Sequence, residues 1–202
     1  MTPSRHYRIQ SYCFNGVPMD AATAAGNCKA VTDAIRDIYA QEDMGSLVFE
    51  ELYRCAYNLV LHGQGELLYT EMEKAMAAEV EGIRGSLSAV ADDSGEFLQE
   101  LLSKWHLHTK AVAAIRDIVK YMDRMFVVAN GKASVHDLGV KIWRDSVVCS
   151  GDVMPRLVEA VRRERPAAEE PAGDVMAGVD KMLAELGDEV HRGVMDASSA
   201  DE

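Results

Sequence analysis

The chain has 202 residues, 48% hydrophobic and 27% charged, which is enough for one domain with a sizeable core. Its 33 acids outnumber 21 bases, and the resulting formal net charge of −12 argues against binding to phosphate backbones. The four cysteines (Cys13, Cys28, Cys55 and Cys149) are scattered with no CxxC pair, so neither a zinc site nor a disulfide framework is indicated.

Abundant Met and Ala, few aromatics and little Pro in the periodic segments favour an all-α fold. Residues 1–26 read as an arm, with Asn15-Gly16 and Pro18 as turn residues and only weak helical character at 21–25. The first solid helix is predicted over 27–40, with Val31, Ala34, Ile35 and Ile38 as its apolar stripe.

The central helix, 47–61, carries two arcs instead of one. Phe49, Leu52, Ala56, Leu59 and Val60 form a core-facing stripe. Beside it lie Glu50, Tyr53, Tyr57 and Leu61, with Arg54 and Leu47 at the edge. Tyrosines and arginines at helical spacing suit a partner-binding face, but a helix packed on two sides gives the same pattern. Periodicity alone does not choose between the two.

Downstream, residues 63–65 read as a stop with a loose turn, and a third helix spans 66–84 with Leu67, Leu68, Met72, Met76 and Val80 inside. Residues 85–95 read as an exposed acidic loop. A long fourth helix runs from 96, with a bend, to 128, where Asn130-Gly131 ends it. A helix over 135–148 and a last pair over 154–163 and 174–186 follow. The last two are separated by a flexible linker at 166–171, and residues 189–202 are expected to be a disordered acidic tail. No apolar run approaches transmembrane length and no secretory signal opens the chain, so the expected address is cytoplasm or nucleus, away from any membrane.

Catalytic signatures are missing. His106 and His108 point to different helix faces and share no metal, and the doublets Asp92-Asp93 and Glu169-Glu170 read as solvated charges. Ser146 has no local base and no nucleophile elbow, and no phosphate-binding loop occurs. The chain is read as a non-enzyme with no cofactor, metal or nucleic-acid partner.

Four ordered motifs then carry a resemblance. They are Phe49-Glu50-Glu51-Leu52-Tyr53-Arg54 with Ala56-Tyr57 and Val60-Leu61-His62; Phe97-Leu98-Gln99 with Trp105 and His108; Ile115-Arg116-Asp117-Ile118 with Tyr121-Met122-Asp123-Arg124; and Leu138-Gly139-Val140 with Arg144-Asp145 and Val147-Val148. Together they resemble the N-terminal domain of the cullin family, of the cullin-3 type, over roughly 28–186. The resemblance implies a single cullin repeat, 27–188, behind the N-terminal arm. It implies a non-catalytic docking module of a ubiquitin ligase that binds the BTB domain of a substrate adaptor for ubiquitin-dependent degradation. The carried-over contacts are Leu47, Glu50, Tyr53, Arg54, Tyr57, Tyr121 and Arg124, with Arg8 and Ile9 at the end of the arm. A family tryptophan is replaced by Cys28, a capping serine by Val48 (with Ser46 as the nearest substitute cap), and the family's lysines are absent from 62–65. Ending after one repeat, the chain is expected to bind no RING subunit. The alternative is a truncated helical interaction protein that has lost adaptor binding or competes for adaptors.

Overall fold

The computed structural model describes residues 19–40, 48–90, 93–165 and 172–199, with side chains from 175 onward in the last stretch. The arm residues Arg8 and Ile9, the edge residue Leu47, Ser46, Cys13 and the linker 166–171 lie outside the described residues. The elements are α1 (Ala21–Ala40), α2 (Phe49–Leu61), α3 (Gly65–Ser88), α4 (Ser94–Ile118), α5 (Lys120–Met122), a π-helical turn (Asp123–Val127), α6 (Val128–Asn130), α7 (Val135–Trp143), a second π-helical turn (Arg144–Val148), α8 (Val153–Glu164), α9 (Ala172–Leu186) and α10 (Asp188–Ser199). Among the described residues there is no strand, and the all-α expectation holds.

The axis of the bundle is α4, which packs against α1, α2, α3, α7, α8 and α9. Its buried side chains include Phe97, Leu98, Leu101, Trp105, His108, Val112, Ile115 and Ile118, spread over a wide arc as a surrounded helix requires. Each such large apolar side chain contributes about 1.5–3 kcal/mol on burial. The helix read as central from sequence, α2, sits at the side, with only Ala56 and Leu59 fully buried.

Helix ends explain most boundary differences. α1 starts at Ala21, six residues earlier than predicted, because Asp20 accepts the Thr23 backbone N–H at 2.9 Å and the Thr23 hydroxyl at 2.6 Å. The acceptance holds the Asp20 carboxyl below its ordinary range. Asp93 caps α4 by accepting from Glu96 N–H at 2.8 Å. Ser134 caps α7: its Oγ accepts from Asp137 N–H at 3.1 Å and its hydroxyl donates to the Asp137 carboxylate at 2.7 Å. Val48 supplies no side-chain cap to α2, which starts at Phe49 and not at an earlier serine-capped position. α3 continues through Gly85 to Ser88, where a loop was expected. Arg156 donates to the Leu87 and Val90 carbonyls at 3.0 Å each and stacks over Phe97 at 4.5 Å, closing that end.

Two apolar residues assigned to the core are exposed: Phe49 at 37% and Leu67 at 37%. The thiol of Cys28, which stands where the resemblance places a tryptophan, is buried at the edge of an open groove of about 510 Å³ between α1 and α3.

The expected disordered tail is a helix over 188–199. Val194 of α10 is buried, and the helix packs on α8 and α9. Arg162 donates to the Ala197 and Ser198 carbonyls at 3.1 and 3.3 Å, satisfying groups the helix end leaves open. The charge pattern that suggested disorder belongs to the outer face of an amphipathic helix.

At the heart of the bundle, His108 is 1% exposed between the rings of Trp105 and Trp143, at centroid distances of 5.9 and 5.1 Å. Its Nδ1 lies 2.8 Å from the Tyr39 hydroxyl and its Nε2 3.0 Å from the Gly139 carbonyl. A neutral ring satisfies both, donating from Nε2 and accepting at Nδ1. Burial holds its pKa down to about 4. Gly139 allows the approach: a Cβ there would stand 2.6 Å from Val112 Cγ2.

Candidate functional site

α2 leaves one side uncovered. Phe49, Tyr53 and Tyr57 recur at four-residue steps and so share a face of the helix. Phe49 is 37% and Tyr53 38% exposed, and Tyr57 is half-buried. Tyr53 and Tyr57 stack at 6.3 Å between centroids, and Tyr57 meets Tyr121 of α5 at 4.5 Å. The predicted tyrosines thus form one surface across two helices, with Tyr57 and Tyr121 packed on each other instead of standing free.

Glu50 and Arg54 flank this ladder as an exposed pair at 2.9 Å. Such a pair adds little to folding and remains available to a partner. Arg124, one turn beyond Tyr121, is exposed and has no hydrogen-bond or ion-pair partner among the described residues. Its neighbour Asp123 is turned to another use: its carboxylate accepts the Val135 backbone N–H at 2.9 Å, tying this helical rod to the start of α7.

The π-helical turn Asp123–Val127 sets how the rod presents its side chains. The wider turn directs Phe126 inward, onto Tyr69 at 6.4 Å between centroids. There Phe126 covers Gly65 so closely that a Cβ would stand 2.5 Å from its ring. Met125 and Val128 are left exposed at 41% and 74%. Lys132 lies 4.7 Å over the Tyr69 ring and pairs with Glu66 at 2.9 Å. The tight packing at Gly65 corrects the loose turn expected over 63–65. Gly63, at φ +77°, closes α2 in a Schellman arrangement: Gln64 N–H donates to Leu59 O at 2.8 Å and Gly63 N–H to Val60 O at 3.1 Å.

Sequence reasoning missed Phe49, Val48, Met125 and Val128 as surface residues. The four-residue step from Phe49 to Tyr53 was readable. The exposure of Met125 and Val128 was not, because a π turn breaks the 3.6-residue period.

Nothing at this surface resembles a reaction centre. Burial raises the Cys55 thiol, as it does those of Cys28 and Cys149, so none is an activated thiolate. Asp145 pairs with its neighbour Arg144 at 3.0 Å. Among the described residues no three His, Cys, Asp or Glu side chains gather to hold a metal, and no helix is long and apolar enough to cross a membrane.

Comparison with known proteins places the surface in context. The cullin alpha solenoid domain matches residues 28–197. Cullin-3B of Arabidopsis thaliana is 38% identical over 192 residues, 93% of this chain and 26% of that protein. Cullin-3 of Dictyostelium discoideum is 34% identical over 167 residues, 81% of this chain and 21% of that protein. Cullin-3 of Caenorhabditis elegans is 35% identical over 129 residues, 63% of this chain and 16% of that protein. The chain therefore spans about a quarter, or less, of the length of these relatives.

Proposed function

This chain belongs to the cullin family, and from that premise we propose that it is the docking module of a ubiquitin ligase, binding BTB-domain substrate adaptors through α2 and α5. The observation that carries the reading is the aromatic ladder Phe49–Tyr53–Tyr57, continued onto Tyr121, left partly open to solvent by a bundle that buries Tyr39, Tyr69, Phe97, Trp105 and Trp143. Aromatic rings flanked by Glu50, Arg54 and Arg124 provide anchor area in the middle and charges that set register at the rim. The chain's part is to hold an adaptor, and no chemistry is assigned to its own side chains.

Titration of a purified BTB domain against the chain tests this. Tyr57→Ala should weaken binding by about 2 kcal/mol, roughly thirtyfold, while the helical circular dichroism spectrum is kept. Leu59→Ala, on the buried side of the same helix, should cost about 2–5 kcal/mol of folding stability. If wild-type chain binds no member of a BTB panel, or if Tyr57→Ala binds as tightly as wild type, the docking reading fails.

A further inference from the structure

On α1, α3 and α8 many exposed or half-exposed cations sit beside a carboxylate. Lys29 and Arg36 share Asp33, Lys74 meets Glu71, and Arg162 and Arg163 share Glu159. An acid excess of this size makes that the expected pattern. Lys110, Lys141, Lys181 and Arg192 depart from it singly, and Arg116, Lys120 and Arg124 depart from it as a set. All three are exposed, and none has a hydrogen-bond or ion-pair partner among the described residues.

They recur at every fourth residue of one continuous rod. Val119 carries the helix across the junction of α4 and α5: its N–H donates to Ile115 O at 2.9 Å, and its carbonyl accepts from Asp123 N–H at 3.1 Å. Four-residue steps advance by about 40° around a helix, so the three cations form one slanted row. The row ends at Arg124, a turn from Tyr121. Acids on the same stretch leave it unneutralised: Asp117 is exposed without an ion pair to Lys120, and Asp123 is occupied by Val135 N–H. Like charges at this spacing repel one another, so folding gains nothing from the row.

We infer that Arg116, Lys120 and Arg124 read an acidic stretch on the adaptor that docks against the tyrosine face, setting how fast it associates and rejecting adaptors that lack the acids. The inference rests on the docking reading above. Its physical basis is range. A chain of net charge −12 repels an acidic partner at a distance, but screening confines that field to about 8 Å at physiological salt, so the local row decides the encounter. Cations at an interface rim act mainly on the association rate and its salt dependence. A row of three within so acidic a chain is a poor match for a nucleic-acid backbone, whose binding scales with the number of phosphates neutralised.

The test is association kinetics of the full chain with the BTB panel at low and high salt (about 50 and 300 mM), comparing wild type with the double variant Arg116→Glu, Lys120→Glu. Arg124 is left in place because it borders the docking face. The association rate constant should fall about tenfold at low salt, its salt dependence should flatten, and dissociation should change by less than about twofold. The neutral double variant Arg116→Gln, Lys120→Gln should lie between, with unchanged helicity and Tm for both variants. Wild-type association rates in the charge-reversed chain, with Tyr57→Ala still defective, overturn the row and leave the docking reading standing. Failure of wild type to bind any BTB domain overturns both. Binding to a short single-stranded RNA that depends on Arg116 and Lys120 assigns the row to nucleic acid and also overturns the inference.

Discussion

Two aromatic clusters in this bundle are built on opposite terms. Around α4 and α7, Trp105, Trp143, Tyr39 and His108 are all buried, and the Tyr39 hydroxyl and both His108 nitrogens have partners, although Trp143 Nε1 has none among the described residues. Along α2 and α5, Tyr53 stacks on Tyr57 and Tyr57 packs tilted on Tyr121, with Phe49 one turn before Tyr53 on the same helix face and one side of the row left to solvent. The first cluster holds α1, α4 and α7 together. The second could lose a ring without opening a cavity in the core. Aromatic content therefore says little until the polar tips are located: a tip bonded inside marks structure, whereas exposed rings in a row mark a surface kept for something else.

The comparison breaks if the clusters respond alike to truncation. Trp143→Ala should remove about 3–5 kcal/mol in urea unfolding, because a fully buried indole leaves a cavity its neighbours fill only partly. A loss no larger than that of a surface variant would mean that the heart of the bundle is looser than its packing implies.

Acid sharpens the same contrast. The His108 imidazole takes a proton near 6.5 when unfolded and only near about 4 when folded. Between those values the unfolded state binds more protons, so stability is fully present above about pH 6.5 and declines as pH falls toward 4. The gap corresponds to about 3 kcal/mol. His108→Gln should be less stable at neutral pH yet show a flatter slope through this window. An identical slope in urea titrations of both proteins would assign the acid sensitivity to other groups.

The surface cluster should behave in reverse. Tyr53→Ala is expected to cost about 1 kcal/mol of stability or less, since its ring is 38% exposed, while weakening adaptor binding by more than it weakens the fold. The smallest effect falls on the exposed Glu50–Arg54 pair. Glu50→Gln should leave the urea midpoint within error and alter only adaptor affinity. A clear stability loss would mark the pair as part of the bundle's framework.

The sequence alone was sufficient for the helical class, most helix locations and the family, because each rests on local periodicity or on ordered motifs. It placed Tyr53, Tyr57 and Tyr121 among the surface candidates, and the structure joins the last two across 4.5 Å. It misplaced Phe49 and Leu67 because a 3.6-residue period shows which residues share a side but not how far a neighbouring helix extends over it. The described part of the tail, up to Ser199, was misread for a related reason. Its few apolar residues look too sparse to hold a helix until α8 and α9 supply the surface that covers Val194 and Arg162 reaches the last carbonyls. The π turn at 123–127, the burial of Phe126 over Gly65 and the placement of α4 as the axis were decided only in three dimensions. Each depends on contacts between residues dozens of positions apart, and in a helical bundle such contacts determine which face of a periodic segment is core and which is left to meet a partner.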